Sequence, residues 1–308
     1  MKNYLVSVIM PCYNEKKEHF IEAIESILKQ TYKNLELMII LDNPENDLLK
    51  EIALEFTDFD DRVKFYINDK NLGLVGTLNR GVSLASGDII VRLDSDDIAK
   101  SNRIEEQIKY IDKYDIVSSN FAFISNFGVV IRHRKFPSDC NEIEIYLKTR
   151  ADCMYHTTWM LKKSIYYKLG LYRNIGPFED YDFLLRALSR KLKLYNHKME
   201  LNYVRINPIG ISYNNKVLQH LGSEYLRENY YRINSIEEID IKNYINSELG
   251  KKRANEYIKF YKITTKVYSS KNLFIYYFRL ILYGPYLAVT NYYGRKKVWV
   301  RIKSYLNK

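Results

Sequence analysis

Between residues 5 and 115 the chain alternates four times between a short apolar run and a stretch with helical apolar spacing, and this alternation restricts the fold more than any other feature. The runs at 5–10, 35–41, 63–67 and 89–91 read as strands. The stretches 19–30, 47–56, 74–85 and 102–114 read as helices, with apolar residues three and four apart, as at Phe20, Ile24, Ile27 and Leu28. Strands separated by helices of this length need right-handed crossovers and a mostly parallel sheet. The expected class is therefore α/β, Rossmann-like, with helices on both faces.

In open sheets of this kind ligands bind at the rim beyond the carboxyl ends of the strands. Three strand ends bring polar groups to that rim: Pro11-Cys12-Tyr13-Asn14-Glu15, Asp42, and Arg92-Leu93-Asp94-Ser95-Asp96-Asp97. An isolated acidic turn would be read as a cap, with Asp97 or Ser101 serving the next helix. Three carboxylates within four positions repel one another, however, and polar groups at three neighbouring strand ends point to one shared ligand. A hard cation, Mn²⁺ or Mg²⁺, bridging to phosphate oxygens accounts for them. The Gly-rich Walker loop and G-x-G-x-x-G are both absent, which argues against a P-loop enzyme or a dinucleotide dehydrogenase.

Beyond residue 115 the pattern changes. Residues 116–131 read as a hairpin around Asn126-Phe127-Gly128, and 141–149 as a helix. Residues 155–160 read as a short strand carrying His156, and 163–169 as a helix stopping at Gly170. A further helix from 178 to 190 opens on Glu179, Asp180 and Asp182, acids that the macrodipole favours in a first turn. Two strands, 194–195 and 201–206, close this part.

Charge divides the chain as well. The net charge is +11, yet residues 251–308 alone hold fourteen Lys/Arg against one acid, Glu256, so the rest is close to neutral. A basic, Tyr-rich end suggests an anionic partner, a membrane surface or nucleic acid. Residues 224–233 and 236–250 read as helices, with Ser235 and Glu238 as a capping box for the second. The apolar run 273–293 contains Arg279 and Gly284-Pro285, so it suits an interfacial helix better than a span. The competing reading is a helical appendage that packs on the catalytic domain or on a second subunit. The first residues lack the apolar core of a signal peptide, and the three cysteines lack metal-site spacing, which together suggest a cytoplasmic protein with reduced thiols.

The ordered set Val6-Ser7-Val8-Ile9-Met10-Pro11-Cys12-Tyr13-Asn14-Glu15, Ser26-Ile27-Leu28-Lys29-Gln30-Thr31-Tyr32, Asn71-Leu72-Gly73, Leu78-Asn79-Arg80-Gly81, Ala85-Ser86-Gly87-Asp88, Arg92-Leu93-Asp94-Ser95-Asp96-Asp97 and Glu179-Asp180-Tyr181-Asp182 resembles the family 2 glycosyltransferases of the GT-A fold. The closest likeness is to bacterial members that build capsule, exopolysaccharide or lipooligosaccharide. The resemblance covers residues 4–206. It implies a GT-A catalytic domain over 1–214; residues 215–308, which it does not cover, read as a separate helical, basic, Tyr-rich region. It also implies a metal-dependent, inverting transfer of a hexosyl or N-acetylhexosaminyl group from a nucleotide-sugar, usually a UDP-sugar, to a glycan or lipid-linked acceptor.

By the same resemblance Pro11, Tyr13, Asn14 and Glu15 lie where the family holds base and ribose, and Asp42 where it meets the base. Asn71, Arg80 and Ser95 fall in further donor-side motifs. Asp94 would face the ribose, Asp96 would bind the metal, and Asp180, or else Glu179, would be the general base. His156 and Arg205 are candidates for the acceptor or diphosphate side. One departure is Asp42-Asn43-Pro44, where many members read Asp-Gly-Ser. The Gln-x-x-Arg-Trp signature of processive members is absent, which suggests single addition. Expected partners are the donor, the acceptor, an anionic membrane surface met by the C-terminal region at the inner face of the cell membrane, and a homo-oligomeric copy; nucleic acid is not expected. The alternatives are a sugar nucleotidyltransferase and a non-catalytic nucleic-acid-binding protein using the basic end.

Overall fold

The structure is a computed structural model and describes residues 2–207, 215–268 and 291–293. Strands β1 (Val6–Cys12), β2 (Leu35–Leu41), β3 (Val63–Ile67) and β4 (Ile89–Arg92) alternate with helices α1 (Lys17–Leu28), α2 (Asp47–Phe59) and α3 (Gly73–Leu84). The four strands pair in parallel in the order β3-β2-β1-β4. Every residue of β1, β2 and β4 is buried, as expected for a sheet covered on both faces. Gly81 lets α3 approach closely: a Cβ there would lie 2.7 Å from Ile9 Cγ2 and 2.8 Å from Ile40 Cδ1.

Strand β1 continues through Pro11 to Cys12, two residues beyond its apolar run. Its pairing with β4 ends at Ile9 opposite Arg92, while pairing with β2 persists to Cys12. Pro11 therefore sits where the β4 neighbour has already left, so its missing N–H costs little.

The second half of the sheet mixes directions. It comprises β5 (Ile98–Ala99), β6 (Ile116–Ile124), β7 (Val130–Arg134), β8 (Met160–Lys162) and β9 (Leu194–Arg205), with the order continuing β4-β8-β6-β9-β5 and β7 pairing with β6. β8 is antiparallel to β4 and β6, whereas β6 and β9 run parallel. Helices α4 (Arg103–Ile108), α5 (Cys140–Thr149), α6 (Lys163–Leu169) and α7 (Glu179–Ser189) connect these strands. The fold is α/β of the GT-A type, and its parallel character belongs to the N-terminal four strands.

Several local expectations change. The helix expected over 102–114 stops at Ile108 and continues as turns. The strand expected over 155–160 is a 3-10 turn, His156–Thr158, followed by β8. The segments 194–195 and 201–206 are one strand, because its register with β6 absorbs two irregularities near Ser119 and Asn120.

By contacts the chain divides into two compact units. The first is 1–174, 179–210 and 230–234; the second is 175–178, 211–229 and 235–308. Within the second lie α8 (Lys216–Glu228), α9 (Glu238–Asn246) and α10 (Glu248–Tyr268). The capping box of α9 is formed by Glu237 and Asp240, not Ser235 and Glu238, and the helix breaks at Ser247 rather than running on to 250. Tyr257 stacks on His220 with centroids 3.9 Å apart, and the buried Tyr293 donates to Glu224 Oε2 at 2.9 Å. Part of the aromatic stripe expected at a membrane belt thus packs within its own unit. The run 273–293 lies almost entirely outside the described residues. Among the described residues no helix is long and apolar enough to cross a membrane.

Candidate active site

The ends of β1, β2 and β4 form one polar rim. The turn after β1 folds on itself: the Tyr13 amide donates to Glu15 Oε2 at 2.8 Å. It is held from the β2 side by two asparagines. Asn43 Nδ2 donates to Asn14 Oδ1 at 2.7 Å, and Asn46 Nδ2 donates to Asn14 Oδ1 at 3.1 Å and to Tyr13 O at 3.0 Å. Asn46 also caps α2, accepting from the Leu49 amide. The departure at Asn43 therefore has a structural task here: it fixes Asn14.

Asp42 is buried, and its Oδ1 accepts from Asn68 Nδ2 at 2.6 Å and from the Leu72 amide at 2.7 Å. Arg80 donates to Ile67 O at 2.7 Å and to Asn68 Oδ1, while Asn71 Oδ1 accepts from the Gly73 amide at 2.8 Å. These three residues, expected on the donor side, thus also shape the loop between β3 and α3.

The acidic turn after β4 is anchored from two directions. The Asp94 amide donates to Thr157 Oγ1 at 2.9 Å, which ties the turn to the His156–Thr158 segment. Ser95 is buried and bonds Glu15, joining the β1 and β4 ends. Asp97 is buried and accepts from the Arg205 amide at 2.8 Å. It therefore pins β9 and does not cap α4, whose N-cap Asn102 makes no side-chain bond.

Arg205 likewise proves structural. Its Nε donates to Asp96 O at 2.9 Å, its Nη1 to Ser125 O and Asn126 O at 3.1 and 3.2 Å, and its Nη2 pairs with Glu22 Oε2 at 2.5 Å. The guanidinium is thus engaged by protein acceptors on several sides.

Carboxylates crowd this rim. Burial and the neighbouring carboxylates Asp94 and Glu15 push Asp96 up to about 7, against a lesser opposing pull from Arg205. Glu15 is also raised, first by burial. A divalent cation would relieve this repulsion, so the donor set fits one. No group of three His, Cys, Asp or Glu side chains among the described residues forms a complete cage.

A second acidic group stands across Arg92. This arginine is buried, with Nη2 on Asp94 Oδ1 at 2.5 Å and no partner for Nε or Nη1. Its positive charge also acts on Glu179 and Asp180 at the start of α7. Burial, then the Asp180 charge, lifts Glu179 to about 8. Asp180 is raised chiefly by burial, while the Tyr181 amide, 2.6 Å from its Oδ1, and Arg92 favour its anion. A third acid, Asp152, is driven well up by burial and by Asp180. Of the three, Asp180 is the one whose anion both the Tyr181 amide and Arg92 favour.

His156 lies between these groups. Its Nε2 is 2.7 Å from the Tyr172 hydroxyl and its Nδ1 4.0 Å from Glu179 Oε1. Burial, and then Arg92, lower it well below the usual range, so the ring is neutral. The first turn of α7 is fixed from below by Asp182, fully buried, which pairs with Arg173 and with Arg186 Nε at 2.7 Å. Sequence reasoning missed Arg92, Thr157, Tyr172 and Asp152. Arg92 stood within a quoted motif; Asp152 carried no local signal, since only the fold brings residue 152 to residue 180.

Comparison with known proteins agrees with this architecture. The glycosyl transferase family 2 model matches residues 7–170. An uncharacterized glycosyltransferase of Methanocaldococcus jannaschii, MJ1057, is 36% identical over 197 residues, covering 63% of this chain and 68% of that protein. The putative glycosyltransferase EpsE of Bacillus subtilis is 35% identical, covering 65% of this chain and 72% of its own length. The Escherichia coli UDP-Glc:alpha-D-GlcNAc-diphosphoundecaprenol beta-1,3-glucosyltransferase WfgD is 42% identical over 133 residues, 42% of this chain and 51% of that enzyme. Among solved structures, S. aureus TarS in complex with UDP superposes with a TM-score of 0.56 at 16% identity, covering 79% of this chain and 72% of that one, a likeness of fold.

Proposed function

The chain belongs to glycosyl transferase family 2, and on that premise we propose that it is an inverting enzyme passing a hexosyl or N-acetylhexosaminyl group from a UDP-sugar to a hydroxyl of a glycan or lipid-linked acceptor. Glycosyltransferase chemistry supersedes the nucleotidyltransferase and nucleic-acid readings. The activity of WfgD, with a UDP-Glc donor and a diphosphoundecaprenol-linked acceptor, supports the choice of donor and acceptor class.

In this reading residues 1–214 are the catalytic domain. Pro11, Tyr13, Asn14, Glu15 and Asp42 receive the nucleoside, aided by Asn71, Arg80 and Ser95. Asp94 meets the ribose, and Asp96, with Asp94 beside it, would hold Mn²⁺ or Mg²⁺. A cation bound there would neutralise charge on the departing diphosphate.

Asp180 is the general base. The observation that carries this role is the pattern of contacts: Asp180 Oδ1 accepts from the Tyr181 amide at 2.6 Å and Arg92 favours its anion, while burial and the Asp180 charge lift Glu179 to about 8. The acceptor oxygen attacks the anomeric carbon from the face opposite the diphosphate. As the glycosidic C–O bond forms, the bond to diphosphate breaks and the hydroxyl proton passes to the Asp180 carboxylate. Glu179, close to neutral His156, positions the acceptor as a hydrogen-bond donor. The enzyme works at the cytoplasmic face of the membrane, where residues 215–308 contribute positive charge.

Asp180→Asn tests the assignment. Transfer should be lost while UDP binding, read by calorimetry, persists; unchanged turnover would overturn it. Screening nucleotide sugars for hydrolysis with Mn²⁺, with and without EDTA, identifies the donor and tests the role of Asp96.

A further inference from the structure

The β6–β7 hairpin carries a feature that donor chemistry leaves unused. Phe127 is 92% exposed, Val129 64%, Ile131 55% and Val130 43%. Single exposed apolar residues are ordinary, but four within five positions form a patch. β7 pairs with β6 on one edge and is open on both faces, so its alternation buries neither set. Beyond the apolar tip follow Arg132, His133, Arg134 and Lys135, and no acid occurs anywhere from 120 to 138.

The tip is a rigid one. The Gly128 amide donates to Ser125 O at 3.0 Å, the Ser125 amide to Val129 O at 2.9 Å, and the Phe127 and Val129 amides to Ser125 Oγ at 3.2 Å. Gly128 supplies the positive φ, +75°, that the turn requires. From below, His19 Nε2 meets Asn126 O at 3.0 Å, and Arg205 holds Ser125 O and Asn126 O while also holding Asp96 O. The turn is thus fastened to the same rim as the acidic cluster.

We propose that this hairpin is a membrane-docking wedge, with Phe127, Val129, Val130 and Ile131 entering the acyl boundary and Arg132, Arg134 and Lys135 meeting anionic lipid headgroups. The dimensions fit. The apolar stretch from Val129 to Ile131 rises about 7 Å, within the roughly 5–10 Å by which interfacial elements enter the headgroup region. Charge complementarity selects anionic lipid, and the apolar tip selects a bilayer over a soluble polyanion. Because Arg205 ties the turn to the acidic rim, docking brings that rim to the lipid surface. The inference rests on surface chemistry alone and stands apart from the transfer assignment.

Co-sedimentation of the full chain with vesicles tests it. Wild type should bind equimolar phosphatidylcholine/phosphatidylglycerol vesicles and prefer them to phosphatidylcholine alone. Phe127→Asp with Ile131→Asp should lower partitioning at least about tenfold without altering the melting temperature. In Phe127→Trp, indole emission beyond that of wild type should shift to the blue and be quenched by brominated acyl chains, which locates the tip whatever residues 215–308 contribute. Failure of wild type to bind, undiminished binding by the double variant, or an unquenched reporter would each overturn the wedge. So would binding of dextran sulfate that survives the double variant while vesicle binding depends only on Arg132, Arg134 and Lys135, since that marks a polyanion site.

Discussion

Replacing Glu179 by Gln separates protonation from architecture. Glu179 is 9% exposed, and its carboxyl stands at about 8 rather than 4.5, because burial and the neighbouring Asp180 charge oppose its anion. The fold therefore prefers the protonated form, and the sign follows. Below pH 4.5 the group is protonated whether folded or unfolded and costs nothing. Between 4.5 and about 8 the unfolded chain releases the proton while the folded one retains it, so stability falls as pH rises. Each pH unit in that window costs about 1.4 kcal/mol, and above pH 8 the loss levels off. Glutamine copies the neutral carboxyl and does not titrate. Glu179→Gln should thus match wild type near pH 4, exceed it by at most about 3 kcal/mol at pH 7, and by at most about 5 kcal/mol above pH 8. Urea denaturation of both proteins at pH 5, 7 and 8.5, with EDTA and no donor, measures the difference. Transfer at pH 7 should survive within several-fold, since Gln still donates a hydrogen bond. A stability offset independent of pH would refute the raised Glu179 carboxyl, and with it the reason for preferring Asp180 to Glu179 as base.

Two further substitutions test how the site is held. Asp182→Asn leaves Arg186, 2% exposed, without its counter-charge, and should cost about 3–5 kcal/mol by thermal denaturation, with transfer falling as the first turn of α7 loosens. Asn46→Ala removes the α2 cap, worth about 1 kcal/mol, together with the bonds to Tyr13 and Asn14. It should raise the donor KM more than it lowers kcat; an unchanged KM would detach Asn46 from the nucleoside loop.

How far the site was legible varies with the range of the interactions that build it. The strand ends at Glu15, Asp42 and Asp94–Asp97 could be read from local apolar periodicity, because a parallel βα repeat sends successive strand ends to one rim. The dual character of Asp42, Arg80 and Asn71 could not be read, since their loop bonds depend on Asn68, Leu72 and Ile67 being folded against them. Arg205 misled for a similar reason: an arginine at a strand end looks like a phosphate ligand until the hairpin turn and Glu22 supply its acceptors.

The sequence by itself determined the α/β repeat, the family and the positions of both acidic groups, because short-range spacing and motif order carry that information. Tertiary structure alone decided how those groups interact. It set Arg92 between Asp94 and the Glu179–Asp180 pair, drew Asp152 to Asp180, and turned Asp97 inward to β9. Protonation depends on burial and on charges brought near from distant parts of the chain, and neither is encoded in local spacing. The acids were therefore visible as residues, but how their neighbours favour or oppose each anion became visible only once they were packed together.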